Sequence, residues 1–213
     1  SRHTTEEGTR FLNSSGKVFA HFNAGDTFTA EYEILRADLS QLFLEATESL
    51  ENVQYMYGDS IKSLEQTEEK IDVVFAGGGK DTYDLVVAAD GSTSKTRSLI
   101  LDEQVLKDSY KFLGQYIAFF SIPSRPGDPK LWQWYNALKG LSIMTRPHPN
   151  SSTRGAYLCI TMSARGLLGP AIEDAMDKGT EDTKRMLHEY FETAGWEAKR
   201  VLEGMDHAED FYM

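Results

Sequence analysis

Apolar and polar positions change their period several times along the chain, and each change marks an element. Lys17 to Asn23 and Thr27 to Ile34 alternate around the turn cluster Asn23-Ala24-Gly25-Asp26, the pattern of a hairpin. Leu39, Leu42, Phe43, Ala46 and Leu50 then recur at helical spacing, which predicts a helix over 37–50 with Asp38 near its positive end. Val53 to Tyr57, Asp59 to Gln66, Lys70 to Phe75 and Thr82 to Ala89 read as short strands of a meander, with Gly77-Gly78-Gly79 turning between the last two. The run Leu85-Val86-Val87-Ala88-Ala89 is apolar on both faces, which predicts a buried strand delivering its C-terminal end to a ligand crevice.

Beyond a short helix over 94–101, long aromatic strands take over: Lys111 to Ile122, Lys130 to Leu138, Leu141 to Arg146 and Ala156 to Ser163. Loops rich in proline and glycine join them, so they are expected to form an antiparallel sheet. Two helices, Glu181 to Ala194 and Trp196 to Met205, close the chain on either side of Gly195. The expected fold class is α/β to α+β, divided near Gln104 into residues 1–104, which hold the meander, and 105–213, which hold the aromatic sheet and its flanking helices.

Composition narrows the function. With 213 residues the chain can bury a proper core, and a formal charge of −11 repels phosphate backbones and anionic lipid, so nucleic acid and membrane surfaces are poor partners. No apolar run reaches membrane-helix length and Ser1 to Arg10 is polar, which predicts a soluble, cytoplasmic protein. Cys159 is the single cysteine, which fits a reducing compartment, and His3, His21, His148, His188 and His207 lack metal-ligand spacing, so no metal is expected. The acidic stretches Glu65 to Lys70 and Glu173 to Asp182 read as solvated faces.

Two segments can carry chemistry. In the first, Tyr83 to Arg97, an Asp-Gly turn follows the apolar strand: Gly91 lets the backbone approach a ligand, Asp90 accepts from hydroxyls or holds an arginine, and Arg97 offers phosphate a fixed fork. The same residues also describe an ordinary turn before a capped helix. In the second, Glu31 to Leu44, Arg36 stands where a strand runs into a helix. The order and spacing of the two segments resemble the class A flavoprotein monooxygenases, the FAD-dependent aromatic hydroxylases typified by para-hydroxybenzoate hydroxylase and including the tetracycline-inactivating monooxygenases. Phe191-x-x-x-Gly195-Trp196 and the ending Asp210-Phe211-Tyr212 are compatible with it.

The resemblance implies a partial FAD-binding, glutathione-reductase-like domain followed by a substrate domain. It assigns Arg36, Asp90, Gly91 and Arg97 to FAD and the NADPH or NADH cosubstrate, and implies oxygen transfer through a flavin hydroperoxide to an aromatic or related small molecule. It also implies that the sheet walls the substrate cavity, making Trp132, Gln133, Trp134, Arg146 and His148 candidates; core packing is the other reading of the aromatic patch. The family's Gly-x-Gly-x-x-Gly unit and later Gly-Asp motif are not in these residues. The chain therefore reads as a truncated central segment, inactive alone and with faces through which it can self-associate. A related reductase or dehydrogenase and a non-catalytic module of the same fold are the alternatives.

Overall fold

A computed structural model describes residues 6–26, 34–162 and 169–213. In chain order its elements are β1 (Gly8–Leu12), β2 (Val18–Asn23), α1 (Arg36–Thr47), β3 (Ile61–Gln66), β4 (Ile71–Phe75), β5 (Lys80–Tyr83), α2 (Lys95–Ser98) and α3 (Glu103–Ser109). Then follow β6 (Gln115–Pro123), β7 (Trp132–Asn136), β8 (Leu141–Pro147), β9 (Thr153–Thr161), α4 (Gly169–Lys178), α5 (Thr180–Phe191) and α6 (Ala198–Asp206). They form two compact units, Ser1–Leu39 with Leu113–Met213, and Ser40–Phe112. This division differs from the expected 1–104 and 105–213, because β1 and β2 belong to the later sheet.

The first unit is a six-stranded sheet in the order β2-β1-β7-β8-β9-β6. Its neighbours are antiparallel except for β1 and β7, which run parallel, so the sheet is mixed and not purely antiparallel as expected. One face alternates large apolar side chains, Phe120 and Ile122 of β6, Ile143 of β8, and Leu158 and Ile160 of β9, into a core with the helices. The helices answer with Ile172 of α4, Leu187 and Phe191 of α5, and Val201, Leu202 and Met205 of α6. Tyr135 anchors this core by donating its hydroxyl hydrogen to the Ala194 carbonyl at 2.6 Å.

Three helices, not two, pack on the sheet. The acidic stretch over 173–182 does face water, yet Ile172 and Ala175 bury the opposite side of α4. β1 was not expected either; its partner β2 was, whereas the other half of the expected hairpin, Thr27 to Ile34, lies outside the described residues except for Ile34. Past α6 the chain returns to the sheet edge, where Phe119 and Tyr212 exchange backbone hydrogen bonds of 2.8 and 3.0 Å.

The second unit is smaller. β3, β4 and β5 form an antiparallel meander with Val73 buried and the glycine turn joining β4 to β5, as expected. Two expectations fail. Val53 to Tyr57 forms no strand. β5 ends at Tyr83, and Leu85-Val86-Val87-Ala88-Ala89 continues without a ladder partner, leaving Leu85 73% and Val87 75% exposed. An apolar run becomes a buried strand only when neighbours hydrogen bond its edges and cover its faces, and none is present among the described residues. α1 likewise forms where the spacing predicts, while Phe43 on its apolar face is 64% exposed.

Candidate functional site

In the second unit the Asp-Gly motif folds as a compact knot of hydrogen bonds. Gly91 takes φ +87, a left-handed conformation natural to glycine, and a side chain there would meet nothing within 4 Å. Ser94 caps α2 by accepting from the Arg97 backbone N–H at 2.9 Å and donates its hydroxyl hydrogen to Asp90. The other Asp90 oxygen accepts from the Thr96 backbone N–H at 3.0 Å. The Ser94 bond first, then the Thr96 bond, hold the Asp90 carboxyl down at about 2. Arg97 donates to the Ser92 carbonyl, and its Nε is buried without a hydrogen-bond partner. The motif therefore spends Asp90 on capping its own helix and leaves Gly91 open.

Arg36 opens α1 in the first unit, while Asp90, Gly91 and Arg97 belong to the second. The five sheet candidates all lie in the first unit, and strand alternation sorts them. Trp132 and Trp134 stack at 5.4 Å between ring centres on the face turned away from the helices, and Phe11 of β1 stacks on Trp134 at 5.4 Å. The Arg146 guanidinium sits over Trp132 at 5.1 Å and is ion-paired to the buried Glu6. Gln133 pairs in register with the buried Thr145 and points to the helix face with Tyr135, apart from the tryptophans.

His148 lies just beyond β8, its Nδ1 3.0 Å from Thr153 Oγ1. Gly155 keeps a space free beneath it: a Cβ there would sit 2.8 Å from Tyr157 Oη and 3.2 Å from His148 Nε2. Those two groups converge over the same point of the sheet as Arg146, which pairs in register with Gly155. Burial draws Arg146 below its usual value against an opposing pull from Tyr157. Burial also lowers His148, opposed by Asp210 and reinforced by Arg146 and Arg154. It raises Tyr157, whose phenol stays protonated at neutral pH.

The outer face thus offers a flat aromatic surface, a cation held by a buried carboxylate, and a neutral histidine beside a phenol. Phe11, Glu6 and Tyr157 were not anticipated. Tyr157 was readable from two-residue alternation with Gly155 on the same strand, whereas Phe11 and Glu6 arrive through a parallel pairing that leaves no local signal.

No protein-family model matches this chain. Among curated proteins, the FAD-dependent monooxygenase asL4 of Sarocladium schorii is 30% identical over 217 residues, covering 98% of this chain and 49% of that protein. Monooxygenase CTB7 of Cercospora beticola is 36% identical over 191 residues, 86% of this chain and 44% of its own length. The crystal structure of tetracycline destructase Tet(51) superposes with a TM-score of 0.76 at 26% identity, over 99% of this chain and 51% of that one. Klebsiella pneumoniae HpxO complexed with FAD and uric acid, 18% identical with a TM-score of 0.61 over 95% of this chain and 49% of its own, shares the fold. The chain spans about half the length of the curated relatives it matches. Over that half, in sequence and in fold, it is similar to FAD- and flavin-dependent monooxygenases.

Proposed function

We propose that this chain is the substrate-facing part of an FAD-dependent, NAD(P)H-using monooxygenase that hydroxylates an aromatic or related small organic molecule in the cytoplasm. The observation that carries this reading is the sheet with one face sealed by helices and the other paved by Phe11, Trp132 and Trp134 under Arg146. Such a surface stacks a flat, electron-rich ring, and the Arg146 charge favours an oxygen substituent carrying negative charge. Glu6 holds that charge in place and the aromatic wall keeps water from the reacting ring.

The residues present fit one side of the cofactor. Gly91 leaves open space for a close approach, and the buried Arg97 Nε lacks a partner that an oxygen of the group would supply. The Gly91 backbone and Arg97 would hold it, while Asp90 braces the turn that presents them. Bound FAD, reduced by NAD(P)H, supplies activated oxygen for transfer to the substrate. The glycine-rich run that would bind the pyrophosphate is not in these residues, so the chain alone is expected to be inactive.

Flavin fluorescence quenching tests the reading: FAD is titrated into this chain and into the protein made from the whole gene. Binding by the whole-gene protein, with substrate-stimulated NAD(P)H oxidation and labelled oxygen in the product, is the expected result. Turnover without oxygen incorporation would point to a reductase, and no flavin binding by either form would refute the proposal.

A further inference from the structure

A cavity of about 380 Å³ opens at the end of the sheet between the β6–β7 loop and the β8–β9 loop. Its lining is unusual for a chain of net charge −11: Arg125, Lys130 and Arg154 stand there with His148 and the hydroxyls of Ser124, Ser151 and Thr153. Asp128 is its one carboxylate, and that charge is already spent. Arg200 of α6 donates to both Asp128 oxygens at 2.9 and 2.5 Å, Arg154 approaches at 3.3 Å, and the Arg125 backbone N–H donates at 2.8 Å. Although burial alone would raise the Asp128 carboxyl, the Arg200 hydrogen bonds and the Arg125 backbone bond pull it down to about 2, so it stays ionised.

Two observations point past a structural ion cluster. Arg154 is only 1% exposed, lines the cavity, and has a buried Nε with no hydrogen-bond partner. Arg125 and Lys130 are exposed at the rim, and among the described residues no carboxylate pairs with either side chain. A buried guanidinium and two rim cations beside serine hydroxyls together favour an oxyanion with several acceptor oxygens, and the volume holds one with a small group attached.

We propose that the cavity between the β6–β7 and β8–β9 loops is a phosphate-binding site, formed by Lys130, Arg125 and Arg154 with the hydroxyls of Ser124 and Ser151. The site is independent of the flavin reading, since its residues come from loops at the end of the sheet and not from the Asp-Gly motif. Its ligand is a phosphate group, either free or borne by a nucleotide.

The test is an amide-shift titration of the isotope-labelled 213-residue chain with inorganic phosphate, at ionic strength held constant with chloride, and in parallel with 2′,5′-ADP. Saturable shifts confined to residues 124–131 and 148–154 are expected, with affinity weakened by about tenfold in Lys130→Ala and in Arg125→Ala, as for loss of one charge-assisted hydrogen bond. Both residues are exposed, so neither variant threatens the fold. Tighter binding of 2′,5′-ADP than of phosphate assigns a nucleotide, and equal binding assigns free phosphate. The proposal is overturned if neither probe gives saturable shifts at those amides, or if both variants bind as the parent chain does.

Discussion

Gly204, in the last turn of α6, sits against β6 of the sheet. A Cβ added there would lie 2.3 Å from Ile122 Cγ2 and 2.9 Å from Ile122 Cβ, and Ile122 is 1% exposed on β6. Two effects compete in Gly204→Ala. Alanine favours the helix by about 1 kcal/mol through lower chain entropy in the unfolded state. Overpacking a close-packed interior costs about 1–3 kcal/mol, and a contact this short, against a β-branched side chain that cannot swing aside, belongs at the upper end. The net expectation is a loss of about 1–2 kcal/mol, which for a chain of this size lowers Tm by about 2–8 °C.

Urea or thermal unfolding of the variant measures it, and Ile122→Ala supplies the control. Removing Cγ2 removes the nearest atom but leaves the Ile122 Cβ at 2.9 Å, so in that background Gly204→Ala should lose part of its penalty, a coupling that a double-mutant cycle reads directly. If Gly204→Ala stabilises the parent chain, helix propensity has won and α6 does not press on β6 as closely as described.

Other expectations follow from single contacts. Tyr135→Phe deletes the hydroxyl that donates to the Ala194 carbonyl at 2.6 Å and should cost about 1 kcal/mol in chemical denaturation, without a change in secondary structure. Ser94→Ala removes both the cap of α2 and the first hydrogen bond to Asp90, so the Asp90 carboxyl should titrate upward from about 2 in a carbon-detected NMR titration. Asp128 has a folded-state pKa of about 2, below the usual carboxylate value of 3.8. The folded state therefore binds fewer protons than the unfolded state between these values, and this contribution to stability, full above about pH 4, falls as pH drops toward 2. Denaturation across that window should show the decline, and Asp128→Asn should flatten it.

Legibility in the sequence followed the range of the interaction. Elements fixed by local period were readable: α1, α5 and α6, the β3–β4–β5 meander, and the strands β6 to β9 to within a few residues at most ends. The short capped helix after the Asp-Gly turn was readable too, although it starts at Lys95, with Ser94 as its cap, and ends at Ser98. What failed depended on distant partners. β1 reads as a polar leader because Gly8 and Arg10 break its alternation, yet Thr9 and Leu12 are buried once β7 lies alongside. Leu85 to Ala89 failed in the opposite sense, since its composition satisfies a buried strand and only the absence of neighbours among the described residues shows otherwise. In the candidate site Trp132 and Trp134 share a face as period-two alternation requires, and the same rule sets Gln133 on the other face.

The parallel pairing of β1 with β7 also has a consequence in time. β1 ends at Leu12 and β7 begins at Trp132, so at ordinary synthesis rates the ribosome makes about 120 further residues, over roughly 6 to 24 s, before the partner strand exists. A lone two-stranded ribbon is marginal in water, so β1 and β2 must wait unformed or be shielded while the 40–112 unit is made and folds in the interval. Production of this chain should therefore be sensitive to what meets Phe11, Phe19 and Phe22 in that interval, and slowing translation ahead of residue 132 should lower its soluble yield.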